Sequence, residues 1–195
     1  QWIVTDEKWR TSTGPILSTC IYSGETYDAR LEQPGWDAAG FDDRAWDTAN
    51  LVAPPGGKLV SAMLPPARVT EVVKPIAVRE PSPGVFVFDM GKNFSGWVRL
   101  SVQGNAGDEV TLRFAERTYV GGAIDVSNLS LARPTDRYIL KGGGAETFEP
   151  RFTWHGFRYV SVEGYPGKPT LDAIEGRFIH TDCPPAGKFT CDNDM

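Results

Sequence analysis

The chain has 195 residues, 41% of them hydrophobic and 23% charged, which is enough apolar surface for one large or two small cores and too much for a disordered chain. A net charge of −5 with no run of like charge offers no basic face to nucleic acid or to an anionic membrane surface. No apolar run approaches the ~18 residues needed to span a bilayer, so neither nucleic acid nor membrane is expected as a partner.

Glycine (21) and proline (15) punctuate short runs in which apolar and polar residues alternate, the pattern of an all-β protein. In chain order, strands are predicted at residues 2–5 and 19–22, before a proline-rich stretch, "PPGGKLVSAMLPP", that reads as a connector. A domain boundary is placed near residue 65. Residues 1–60 hold too few strands to close a sandwich alone, and the chain enters at Gln1 on strand-like residues, so it is read as cut from a longer polypeptide with strand partners upstream.

Beyond the connector, strands are predicted at residues 70–73, 77–79 and 85–89. In "GWVRLSVQG" Val98, Leu100 and Val102 alternate with Trp97, Arg99 and Ser101, and in "DEVTLRFAE" Val110, Leu112 and Phe114 do the same. The turn between them, "QGNAGD", has the Gly and Asn that tolerate positive φ, so an antiparallel hairpin is predicted. Further strands are predicted at residues 138–140, 147–149, 157–163 and 174–180, and no ten-residue stretch has helical periodicity. The expected fold is an all-β, antiparallel jelly-roll β-sandwich preceded by part of a second β-sandwich accessory domain. Its core should include the six alternating residues above together with Val160 and Ile174.

Few residues suggest chemistry. Cys20, Cys183 and Cys191 are too scattered for a disulfide scaffold or a zinc site. In "FTWHGFRYV", His155 could act as a base or a metal ligand, but that needs an orienting partner, and no spacing ties it to His180, the other histidine. A packing or turn role for His155 is preferred. Asp42 and Asp43 are adjacent and diverge in an extended chain, so "PGWDAAGFDDRAW" is read as a turn, while Asp89, Glu116, Asp125 and Glu149 show no spacing suited to a pair of catalytic carboxylates. "KGGGAE" lacks a following helix and is a loop. The cluster best suited to sugar is "CIYSGETYDARLEQPGW", where Tyr22, Glu25, Tyr27 and Asp28 bring rings and carboxylates into one short span; the alternative there is a pair of strands with a satisfied Asp–Arg pair. No catalytic residue, metal ligand or cofactor is assigned.

Taken together, "DEKWRTSTGPI", "IYSGETYDAR", "PGWDAAGFDDRAW", "FDMGKNFSGWVRL", "GDEVTLRFAE", "RPTDRYILKGGG" and "FEPRFTWHGFRYVSVEGYPG" resemble, in this order, the N-terminal β-domains of bacterial-type α-L-rhamnosidases, which are inverting glycoside hydrolases. The resemblance implies residues 1–64 as the C-terminal part of an accessory, galactose-binding-like domain with its linker, residues 65–182 as a β-sandwich domain, and residues 183–195 as the start of a linker to a catalytic (α/α)6 barrel. It implies that catalysis belongs to that barrel, that rhamnose-containing carbohydrate is the partner, and that the barrel is the second partner. Some family members bind rhamnose with calcium through the accessory domain, and no residue here is assigned to that role. Within this resemblance the turn at Trp154 and His155 is expected to be exposed as an interdomain contact.

Overall fold

The computed structural model describes residues 4–192. Its strands, in chain order, are β1 (Arg10–Thr11), β2 (Ile16–Cys20), β3 (Gly24–Asp28), β4 (Asp47–Thr48), β5 (Ala67–Val73), β6 (Ala77–Ser82), β7 (Val85–Gln103), β8 (Glu109–Ala115), β9 (Arg117–Thr118), β10 (Ile124–Asp125), β11 (Thr135–Ile139), β12 (Ala145–Phe148), β13 (His155–Glu163) and β14 (Ile174–Thr181). The only helical turns among the described residues are three 3-10 turns, Ala29–Leu31, Ser127–Leu129 and Leu171–Ala173. This is an all-β sandwich, as the alternating pattern predicts. The strand predicted at residues 2–5 lies partly outside the described residues, and Val4 and Thr5 are not in a strand.

β7, 19 residues long, organises the sandwich by belonging to both layers. Its first part pairs with β6 on one side and with β13 on the other. Its last part pairs with β14 and β12. One layer therefore runs β6-β7-β13-β8-β11-β3-β2 and the other β12-β7-β14-β5. Where β7 passes from one to the other, a Cβ on Gly96 would fall 1.9 Å from the carbonyl oxygen of Arg177, so the crossing tolerates no side chain.

The predicted core residues all lie in this interior. Val98, Leu100, Val110, Leu112, Phe114 and Val160 are fully buried, and Val102 and Ile174 nearly so. They form one cluster with Phe86, Phe88, Tyr138 and Phe157. The predicted hairpin between residues 96–104 and 108–116 does not form. β8 pairs with β11 and β13, whereas the end of β7 pairs with β12 and β14. "QGNAGD" is thus a passage between layers. Both strands turn their apolar faces to the same core from opposite sides, and a tight connection there looks in sequence like a hairpin turn.

The other departure is at the N-terminal side. β2 and β3 form an antiparallel pair, and β3 then joins β11 in parallel, Tyr27 beside Tyr138. The pair lies well before residue 65 in sequence, yet it is hydrogen-bonded into the larger layer. At the junction Gly24 has φ +82, and a Cβ there would sit 2.1 Å from the carbonyl oxygen of Thr135, so only glycine lets the two backbones approach this closely. Between β4 and β5 the chain has no regular element, and residues 50–66 are exposed throughout.

Candidate functional site

Two of the residues singled out from the sequence, Glu25 and His155, meet at the β2–β3 hairpin in a structural role. Glu25 and His155 are drawn together by Asp136, which is the second residue of β11 and is fully buried. His155 Nε2 lies 3.2 Å from both carboxylate oxygens of Asp136, and its ring stacks on Phe114 at 4.3 Å between centroids. Asp136 Oδ1 also accepts the backbone N–H of Glu25 at 2.9 Å. The Glu25 carboxylate in turn accepts the backbone N–H groups of Arg151 and Phe152, at 3.2 Å each. Nearby, the Thr153 hydroxyl donates to the Cys20 carbonyl. One connected set of polar groups therefore fastens β3, β11, β13 and the loop ahead of β13 to one another.

These positions correct two expectations. His155 is 4% exposed and is not part of a surface turn; strand β13 begins at it and alternation sends its ring inward beside Phe157. Trp154, its neighbour, is the exposed one at 51%. Glu25 is fully buried and Asp28 is 5% exposed, so neither carboxylate faces a ligand. Asp28 caps the turn at Ala29–Leu31 and holds Arg30 through two oxygens at 2.9 and 2.7 Å, and this guanidinium keeps its carboxyl below the usual range. That is the satisfied Asp–Arg pair considered as the alternative. Of the proposed sugar contacts, Tyr22 is exposed and Tyr27 partly so.

Burial raises the Glu25 carboxyl above its ordinary 4.5, with the Asp136 charge adding to the effect and the hydrogen bonds from Arg151, Phe152 and Thr19 opposing it. Because the folded value lies above the unfolded one, the group favours the folded state fully below the unfolded value, and that contribution is lost as pH rises through the folded value. Glu25→Gln should abolish this dependence. Urea melts from neutral pH to below 4.5 are expected to show the wild type gaining stability relative to the variant as pH falls; an unchanging difference would refute the assignment.

Tyr27 lies between two concavities of the surface. Its hydroxyl donates to Glu32 at 3.0 Å, and burial followed by that carboxylate pushes its pKa up to about 12. Glu32 also receives Lys141 Nζ at 2.5 Å, so its charge is matched. On one side of Tyr27 a cleft of about 780 Å³ runs between the segment from Arg10 to Ile16, the Pro34–Gly35–Trp36 turn, and Phe152. On the other, a smaller recess of about 360 Å³ reaches Arg99 and Glu149. Gln33 braces the larger cleft: its amide donates to Ser12 Oγ and to the Thr13 carbonyl, and its carbonyl accepts the Trp46 indole N–H at 2.8 Å. Sequence reasoning missed Gln33, Asp136 and Arg151. Asp136 sits in an ordinary alternating strand, and nothing in "RPTDRYIL" distinguishes a buried carboxylate from a solvated one.

The scattered carboxylates each have separate work. Asp89 binds Arg158 through both oxygens. Glu116 accepts the amides of Asn93 and Asn128, Asp125 accepts the Ser127 N–H and pairs with Arg117, and Glu149 accepts the Trp97 indole. Asp42 holds Arg44 in an exposed turn. Among the described residues no group of three or more His, Cys, Asp and Glu side chains is placed to hold a metal ion.

Two family models match the chain. Residues 1–71 match the α-L-rhamnosidase N-terminal domain, and residues 79–180 the bacterial α-L-rhamnosidase concanavalin-like domain. Among curated proteins, an α-L-rhamnosidase of Streptomyces avermitilis is 49% identical over 185 residues, 93% of this chain and 18% of that protein. One from Formosa agariphila is 34% identical over 197 residues, 98% of this chain and 21% of that protein. Among solved structures, the α-L-rhamnosidase of Dictyoglumus thermophilum superimposes with a TM-score of 0.96 at 48% identity, covering 99% of this chain and 22% of that one. The chain thus spans about a fifth of the length of these relatives.

Proposed function

Since the chain belongs to the bacterial α-L-rhamnosidase family, we propose that it is the non-catalytic β-domain part of an enzyme that hydrolyses terminal α-L-rhamnose from glycosides. The observation that carries this reading is the engagement of its carboxylates. Inverting hydrolysis takes an acid and a base ~6.5–9.5 Å apart across an open, water-sized gap. Here Glu25 and Asp136 are buried under the β2–β3 hairpin, and Asp28 and Asp89 are each held by an arginine. Catalysis then falls to the (α/α)6 barrel of the full-length protein, with the β-domains as its support.

Exposed apolar side chains are consistent with packing against further protein. Leu59, Met63 and Leu64 in the connector are at least 83% exposed, and Trp154 is half exposed. We assign Trp154 to the interdomain contact, with His155 behind it as the buried anchor. The division into residues 1–64, 65–182 and 183–195 is kept for the sequence units, with β2 and β3 reaching across the first boundary into the sandwich. Rhamnose-containing carbohydrate is the partner of the whole enzyme, and Tyr22 and Tyr27 remain the sugar contacts among the four first singled out.

The chain alone should release no product from an aryl α-L-rhamnoside. Turnover near the rate of a full-length relative would overturn the reading. Trp154→Ala should change the chain's own stability by no more than about 0.5 kcal/mol, the usual range for a surface substitution, and should lower stability or activity only in a protein that includes the barrel.

A further inference from the structure

The cleft beside Tyr27 has features that holding the fold does not require. Trp36 is 62% exposed and Phe152 67%, and both rings stand on its walls. Trp36 is set on a tight turn closed by its own N–H to the Gln33 carbonyl. Phe152 and Arg151 rise from backbone that the buried Glu25 carboxylate pins through their N–H groups, so both side chains leave from fixed points. A volume of about 780 Å³ falls in the range of ligand pockets, roughly 300–1,000 Å³.

Charge narrows what would fit. Four charged side chains line the cleft: Arg10, Glu32, Asp37 and Arg151. Glu32 is already matched by Lys141 and the Tyr27 hydroxyl. Arg10 donates to the Trp46 carbonyl oxygen; among the described residues, neither it nor Arg151 makes an ion pair, and Asp37 makes none either. Two uncompensated guanidinium groups thus face one carboxylate. A guanidinium fork matches a carboxylate through two parallel hydrogen bonds, and exposed rings stack on the apolar C–H face of a sugar. We infer that this cleft is a saccharide subsite for a glycosyl unit that carries a carboxylate, with Trp36 and Phe152 against the ring faces and Arg151 on the carboxylate.

The inference rests on reading the chain as part of a glycan-acting enzyme, and its test is separate. D-glucuronate, D-glucose and L-rhamnose are titrated into the chain at low salt and followed by calorimetry or by shifts of the tryptophan indole NMR signals. D-glucuronate should bind about tenfold or more tightly than D-glucose, the scale of one charge-assisted contact, and added salt should erode the difference. Arg151→Gln should abolish the preference while leaving the melting temperature unchanged, because its backbone and not its side chain holds the fold. Trp36→Ala should weaken binding of the acidic and the neutral sugar together. Equal affinity for D-glucuronate and D-glucose, no binding of D-glucuronate, or an Arg151→Gln variant that keeps the preference would each overturn the subsite. The rhamnosidase reading fails on a different result, turnover of the aryl rhamnoside by the chain, so the two failures are told apart.

Discussion

Asp136→Ala is expected to lower the unfolding free energy by about 2–6 kcal/mol, roughly 1–3 kcal/mol for each of the two buried groups it leaves without a hydrogen-bond partner. The size of the loss follows from what is left behind. His155 Nε2 loses an acceptor 3.2 Å away, the Glu25 N–H loses one at 2.9 Å, and neither can turn to water, because both side chains are buried. An unsatisfied buried group costs its full desolvation. The damage should be local first: amides of β3 should exchange with solvent sooner than those of β8 and β13, since Asp136 couples the hairpin to the layer. Urea denaturation and hydrogen exchange read the two effects. Asp136→Asn keeps an oxygen for the Glu25 N–H and should lose less than the alanine variant. If the alanine variant were destabilised by under about 1 kcal/mol, within the ordinary run of substitutions, the polar cluster would have no structural role.

Leu112→Ala is expected to cost about 2–5 kcal/mol, from lost burial and from the cavity left in a close-packed core. Leu112 is fully buried, stands opposite Asp136 on one side and Val162 on the other, and so lies in the middle of the larger layer, where collapse into the void would have to move three strands. Val72→Ala on β5, at a position 45% exposed, is the control and should change little. A loss for Leu112→Ala no larger than the control's would mean that β8 does not face the interior.

Much of this protein could be read before its shape was known. Alternation in β7 and β8 identified Val98, Leu100, Val102, Val110, Leu112 and Phe114 as core, and all are buried. The physical reason is local, since successive Cβ atoms of a strand point to opposite faces and the apolar set declares which face is inward. Ordered motifs placed the chain in its family for the same kind of reason, because they record turns and faces along the chain. What alternation cannot express is the neighbour. Ladder hydrogen bonds join backbone groups common to nearly every residue, so the end of β7 and the following β8, adjacent in sequence and alike in pattern, went to different partners in different layers.

The polar cluster was illegible for a related reason. Glu25, Asp136 and His155 are separated by up to 130 positions in sequence, and an inward carboxylate in an alternating strand has the same spelling as an outward one. Glu25 was expected to touch sugar because rings and carboxylates stood close together in sequence. The parallel pairing of β3 with β11 turned it inward instead, and the same pairing brought Tyr27, Glu32 and Arg151 to one cleft. Sequence alone determined the class of fold, the family and the buried faces, each fixed by local periodicity or chain order; the tertiary structure decided which strands meet and which charged groups are hidden, because both depend on backbone approaches such as that of Gly24 to Thr135, between residues far apart in the chain.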